Sequence, residues 1–198
     1  MIHLLLDSSD KFLNVGLSKD GTVFDSISYE AWQKQSEFMV QEIKKILDRN
    51  GLDRNDLDGV VCARGPGSYT GVRISLSIAK TIAFALQKPL YLVSSLECFR
   101  CKNHPTICLM NARSKRSYFA VYEGPNALVS DCILTNDEVL SYIIDHKDYR
   151  ISGDLSYLGI DGEEFDVLSI LAESADESHR CENDLAAKPV YLKDTYLK

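Results

Sequence analysis

No stretch of this 198-residue sequence stays apolar for the roughly 20 residues that a membrane-spanning helix needs. Met1-Ile2-His3 leads directly into a short apolar run that stops at Asp7, which does not resemble a secretory leader. These absences set the expectation of a soluble, cytoplasmic protein with no membrane partner. A basic excess is missing too: 22 Lys and Arg stand against 29 Asp and Glu, a net charge of −7. Proteins that grip nucleic acid unaided neutralise phosphates with a basic face, so strong direct binding to nucleic acid is not expected here. The four histidines, His3, His104, His146 and His179, are too far apart in sequence to form a paired metal motif. No zinc-protease motif is present, and peptidase activity is not expected.

Six cysteines are present, and without a secretory signal they read as thiols rather than disulfides. Cys98, Cys101, His104 and Cys108 offer four zinc-type ligands in a short span. A single C-x-x-C pair is a weak signal, however, and residues 95–102 read as a helix. Buried or idle thiols, and no metal, are the expectation. What remains is an ordinary globular balance, 45% hydrophobic and 26% charged, in a chain long enough to bury a real core.

The apolar pattern is that of an α/β protein. Residues 2–6, 12–18 and 22–29 read as strands, with Asp20-Gly21 as a hairpin turn. Ser36 is placed to cap a helix that Gly51 ends. A strand over 59–63, a loop over 65–71, a helix over 72–86 and a strand over 90–93 follow. The second half repeats the order: strands over 106–111, 118–122 and 128–134, a capping box of Thr135 and Glu138 opening a helix, and a strand over 149–152. Both halves read β-β-β-α-β about 100 residues apart, which suggests a duplicated unit. The boundary falls near residues 102–105, giving a first domain over 1–103 and a smaller one over 104–198, whose last residues could return to the first.

Two places have the residues for phosphate chemistry. Asp7-Ser8-Ser9 ends a strand in an acid and two hydroxyls, although Asp and Ser also favour turns for local reasons. Gly65-Pro66-Gly67-Ser68-Tyr69-Thr70-Gly71 lies between a buried strand and a helix, where free N–H groups and the helix dipole favour an anion. It is neither a Walker loop, since Val72-Arg73 follow the last glycine, nor a dinucleotide fingerprint. A tight strand-to-helix connection capped by Thr70 explains the same residues equally well.

Residues 65–74, Gly-Pro-Gly-Ser-Tyr-Thr-Gly-Val-Arg-Ile, resemble the signature loop of the TsaB family, formerly called YeaZ. Asp7-Ser8-Ser9 with Asn14-Val15-Gly16-Leu17 is similar to the family's opening hairpin. Pro89-Leu90 with Val93-Ser94-Ser95-Leu96-Glu97, Asn111-Ala112-Arg113 and Pro189-Val190-Tyr191-Leu192-Lys193 are similar to further family segments. The likeness is strong over residues 1–97 and patchy beyond. It implies an actin-like and Hsp70-like (ASKHA) ATPase fold of two RNase H-like halves, the second reduced, without catalytic equipment. It also implies a non-catalytic partner subunit for tRNA threonylcarbamoyladenosine formation. The partners would be a TsaD-like catalytic paralogue and a TsaE-like ATPase, with tRNA met only indirectly. The alternative is an active actin-like ATPase or phosphotransferase.

Two departures from the family pattern stand out. Gln35 replaces a usual His, and Asn111 a usual Asp. Asn cannot supply a metal-holding carboxylate. Asp7, Ser8, Ser9, Gly67 and Ser68 are therefore expected to form at most a weak, degenerate nucleotide site. No cofactor is expected for the chain alone, with ATP and Mg entering only through an assembled complex. Arg73 belongs to the same signature.

At about 100° per residue, Val72, Leu76, Ala79, Ala83 and Leu86 share one stripe of the long helix. Ile74, Ile78, Ile82 and Ala85 form a second, and one stripe suffices to pack a helix on its own sheet. Ile74, Ile78, Ile82 and Ala85, beside Phe38 of the first helix, are thus the candidate subunit contact. Met39, Val40, Ile43, Ile46 and Leu47 are expected on the first helix's inward side. The resemblance implies association through these two helices, as a homodimer or with a TsaD-like partner.

Overall fold

A computed structural model describes residues 1–31 and 33–192. Lys193 of the closing motif lies outside the described residues. Strands β1 (Ile2–Asp7), β2 (Phe12–Lys19), β3 (Thr22–Glu30), β4 (Gly59–Ala63) and β5 (Leu90–Val93) form one sheet in the order β3-β2-β1-β4-β5. Strands β6 (Thr106–Arg113), β7 (Arg116–Glu123), β8 (Asn126–Thr135) and β9 (Arg150–Gly153) form a second, ordered β8-β7-β6-β9. Each is an antiparallel meander of three strands whose first strand then pairs in parallel with the strand after a helix. The second sheet repeats the first without its fifth strand. This is the duplicated α/β unit with a reduced second half. Among the described residues, no helix is long and apolar enough to cross a membrane.

The continuous apolar run of β1 follows from burial on both faces. Leu4 and Leu6 point into a core shared with helices α1 (Gln35–Arg49) and α2 (Tyr69–Leu86). Leu5 points the other way, toward Val61, Val93 and the short helix after the second sheet. One face of that second sheet packs Ile107, Leu109 and Phe119 on Val139 of α3 (Asn136–Asp145). Its other face packs Cys108, Met110, Tyr118 and Tyr122 on Leu96 and Phe99 from the first half. The Thr135–Glu138 capping box forms in both directions.

Four local expectations change. Helix α1 starts at Gln35 after Lys34, with no side-chain cap, so Ser36 is a first-turn residue rather than the cap. Helix α2 starts at Tyr69, three residues early, and Ser68 rather than Thr70 is its cap, accepting from the Gly71 N–H at 3.3 Å. The expected helix over 95–102 shrinks to a single 3-10 turn, Glu97–Phe99. Arg100 there turns to extended backbone, and its buried guanidinium reaches Glu173 at 3.2 Å. Residues beyond Gly153, where the sequence pattern is weak, contain α4 (Val167–Glu173), capped by Asp166. Its Leu168, Leu171 and Ala172 close the outer face of the first sheet.

Candidate functional site

The two sheets meet at a cleft of about 710 Å³. Ser9, Asp10, Gly67, Ser68, Thr70 and Gly71 line one wall, and Asn111, Arg113, Tyr118 and Asp154 line the other. Each wall is the end of a first strand plus its turn, as the repeat dictates.

On the first wall the β1–β2 turn sits directly on the signature loop. The Ser8 hydroxyl donates to the Gly71 carbonyl at 2.8 Å, and the Ser68 N–H donates to the Ser9 carbonyl at 2.7 Å. A Cβ added at Gly71 would fall on the Ser8 carbonyl oxygen, and one added at Gly67 on that of Ser9. The glycines are present because another stretch of backbone occupies the space a side chain needs. Asp7 lies beneath, 3% exposed, with one carboxylate oxygen taking the Ser9 N–H and the other the Asn14 amide, both at 2.9 Å. Asn14 is itself held by the Ser28 hydroxyl at 2.6 Å. Burial pushes the Asp7 carboxyl above the usual carboxylate range, against the pull of those bonds.

The second wall repeats the turn without the charge. Asn111 Oδ1 accepts from the Arg113 N–H at 2.8 Å, just as Asp7 accepts from Ser9 two residues on. The amide does the turn-forming work of a carboxylate and supplies no anion. Arg113, Ser114 and Lys115 then take left-handed backbone in succession, an uncommon run for non-glycine residues.

Two acids at the cleft were not singled out in the sequence. Asp10 follows the Asp7-Ser8-Ser9 turn, and Asp154 follows β9. Burial raises the Asp10 carboxyl, and the charges of Asp154 and Asp7 raise it further. Asp154 follows Gly153 at the end of β9, the counterpart of β4, and so does not correspond to Asp7 in the repeat. Among the described residues, no three His, Cys, Asp or Glu side chains are grouped to hold a metal ion. Cys98 and Cys108 are buried, and burial pushes both thiols well up.

The remaining signature residues spread along α2. Tyr69 stacks on Tyr191 with ring centroids 5.1 Å apart, and the Arg73 guanidinium donates to the Tyr69 hydroxyl at 2.5 Å. Beyond the cleft rim, Ser36, Val40, Ile74, Ser77 and Ile78 line an open groove between α1 and α2. Val72, Leu76, Ala79 and Ala83 are buried as their stripe predicts. Ile74, Ile78, Ile82 and Phe38 are half-buried and each touches the first core, so their stripe straddles the core edge. Ala85 is exposed. Val40, expected inward, is 60% exposed, and Phe84, not singled out in the sequence, is 61% exposed.

Two meander-plus-parallel units facing each other across a cleft define the duplicated fold of the actin and Hsp70 class. The family described as TsaD, tRNA N6-adenosine threonylcarbamoyltransferase, matches residues 29–188. The chain belongs to that family, and within it to the TsaB (YeaZ) group. It is 30% identical to the tRNA threonylcarbamoyladenosine biosynthesis protein TsaB of Bacillus subtilis over 145 residues, 71% of this chain and 63% of that protein. It is 30% identical to the Escherichia coli TsaB over 127 residues, 61% of this chain and 54% of that one. The chain thus spans less than two thirds of the length of these curated relatives. YeaZ from Pseudomonas aeruginosa has the same fold, with a TM-score of 0.82 at 22% identity, covering 96% of this chain and 99% of that one.

Proposed function

We propose that the chain is a non-catalytic subunit in the formation of threonylcarbamoyladenosine on tRNA, supporting a TsaD-like transferase together with a TsaE-like ATPase. One observation carries the non-catalytic reading. The strand-end positions Asp7 and Asn111 do not offer a pair of free acids to a metal-bound phosphate. Asp7 has both oxygens committed, and Asn111 brings no charge from the other wall. Any nucleotide would have to rest weakly at the cleft rim near Ser9, Gly67 and Ser68, and ATP and Mg would act through the assembled complex. The naming of the TsaB relatives supports the pathway.

The groove between α1 and α2 is the surface this reading assigns to the partner. Val40 is apolar and largely exposed there, and the half-buried Ile74 and Ile78 line the same groove. The same surface would hold two copies together when no partner is present. The test is reconstitution. A TsaD-class transferase, a TsaE-class ATPase, tRNA and threonylcarbamoyl-adenylate are mixed with and without this chain, and modified adenosine is measured. Modification that needs the chain, with no ATP turnover by the chain alone, supports the proposal. Turnover by the isolated chain that disappears in Asp7→Ala would instead establish the active ATPase.

A further inference from the structure

Residues 176–192 run as a strap over the first half. They first extend the edge of β5: Tyr91 bridges Arg180 in antiparallel fashion, the Leu92 N–H donates to the His179 carbonyl at 2.8 Å, and the Cys181 N–H donates to the Leu90 carbonyl at 2.8 Å. Lys80 of α2 then donates to the carbonyls of Leu185 and Ala187, each at 2.8 Å. The strap ends at the signature loop, where the Val190 N–H donates to the Arg64 carbonyl at 2.8 Å and Tyr191 stacks on Tyr69 at the cleft. Most of the strap is exposed; Cys181 and Ala187 touch the first core, and Leu192 at its end packs on the core between the second sheet and Leu96 and Phe99. Segments with so few buried apolar contacts open far more readily than the core beneath them.

One titratable side chain, His179, helps to fasten it. His179 Nε2 lies 3.2 Å from Glu97 Oε1, and Nδ1 lies 3.2 Å from Asp176 Oδ1. The ring side chain is 15% exposed and that of Glu97 7%. An ionised carboxylate only accepts, so both nitrogens can be satisfied together only when both carry a proton. A neutral ring keeps Glu97 only by giving up Asp176, with the Ser178 hydroxyl, 3.0 Å from Nδ1, as its other neighbour.

We propose that residues 176–192 are a pH-releasable strap, fastened by His179 on Glu97, whose release frees the edge of β5 and takes Tyr191 off the cleft wall. The charged and titratable groups around the fastening are few. Glu97 faces it from the 3-10 turn, with Arg100 3.9 Å from Glu97 and 3.2 Å from Glu173 of α4. Lys102 also pairs with Glu173. Asp176, Glu177 and Arg180 lie on the strap, the last two paired at 2.9 Å, and Tyr91 lies on β5. The bond to Glu97 raises the His179 pKa above its ordinary value, against burial. A raised histidine stabilises the docked form fully below the free value of about 6.5. That stabilisation fades as pH rises through the higher docked value.

Amide hydrogen exchange on the full chain tests this, read at Leu92, Cys181 and Val190, with the Leu5 and Val61 amides as core standards. Rates are corrected for their intrinsic dependence on pH. Between about pH 5.5 and about pH 9, protection of the three strap-linked amides should fall about tenfold, the scale of one charge-assisted hydrogen bond, while the core amides hold. His179→Gln should show the weakened protection already at the lower pH and no response to pH. Glu97→Gln should behave the same way, and either variant suffices alone. Flat protection in the wild type, a retained pH response in a variant, or core amides that open in step would overturn the proposal.

Discussion

Gly71→Ala tests the close packing of the β1–β2 turn on the signature loop directly. The added methyl would land on the Ser8 carbonyl oxygen, which is backbone and cannot rotate away. The β1–β2 turn would have to lift off the signature loop. That move breaks the bond from the Ser8 hydroxyl to Gly71 and the bond from Ser68 to Ser9, worth about 2 kcal/mol together. Forcing a methyl into packed backbone costs about 1–3 kcal/mol more. Alanine in place of glycine in the first turn of α2 returns up to about 1 kcal/mol of helix propensity. The net loss is about 2–4 kcal/mol, a large share of the roughly 5–15 kcal/mol that holds a domain together. Urea unfolding followed by circular dichroism should show a lower midpoint at unchanged slope. Ser77→Ala, exposed on the same helix, is the control and should stay within about 0.5 kcal/mol of wild type. A Gly71→Ala protein as stable as that control would mean that the turn does not pack so closely on the loop.

Ile78→Glu should leave a folded chain that neither self-associates nor captures a TsaD-class partner, since a charge buried in an apolar contact costs several kcal/mol; sedimentation and co-purification read both, and unfolding would instead assign Ile78 to the core. Arg100→Ala should destabilise the chain by about 2–4 kcal/mol in urea, because Glu97 and Glu173 lose a buried partner while Lys102 still holds Glu173; a midpoint within error of wild type would count against that pairing. His3 is buried with neither ring nitrogen bonded, and burial holds its pKa below the ordinary value, so the folded chain keeps the ring neutral. Stability that rests on the neutral ring is fully present above the unfolded value of about 6.5 and is lost as pH falls from there through the lower folded value. His3→Phe, which keeps the edge-on packing against Tyr91, should therefore gain stability relative to wild type at about pH 5 more than at about pH 8, and an equal difference at both would sink the idea.

The repeat was legible in the sequence because its signals are local. Turn residues, a capping box and strand-length apolar runs mark both meanders, and the structure returns the same strand order in each. The 3-10 turn at Glu97–Phe99 was not legible, because what ends it is Arg100 reaching Glu173, 73 residues away in sequence. Helix α4 escaped for a similar reason. Its seven residues are too short for a periodic pattern, and its burial is set by Leu5 and Val61 from the other end of the chain. Val40 fell on the predicted inward stripe, yet it faces the groove beside Ile74 and Ile78, because α1 leans its Met39, Ile43 and Ile46 on the sheet. At the cleft, Asp7, Ser9, Gly67 and Asn111 could be named from the sequence. That Ser8 and Ser9 fill the loop's own space could not, since steric exclusion between backbones leaves no mark except glycine.

That exclusion gives the glycines of this loop a packing role of their own. Residues 65–71 receive the β1–β2 turn on one side, through Ser8 and Ser9, and the strap on the other, through Val190 beside Gly65. The Ser95 hydroxyl adds a third support, accepting from the Gly65 N–H at 3.1 Å while the Ser95 N–H donates to the Gly65 carbonyl at 2.9 Å. At Gly71, Gly67 and Gly65 the backbone of Ser8, Ser9 and Val190 approaches closer than a Cβ would allow, so glycine is required there for packing whether or not an anion ever binds. On the opposite wall Asn111 holds its turn with an amide, which carries no charge. A site under selection for Mg-nucleotide chemistry would be expected to keep the carboxylate, whereas one under selection for the shape of the α2 start needs only the turn and the glycines. The parts retained here are those that fix where α2 begins, and α2 is the helix that carries Ile74, Ile78 and Phe84 to the surface.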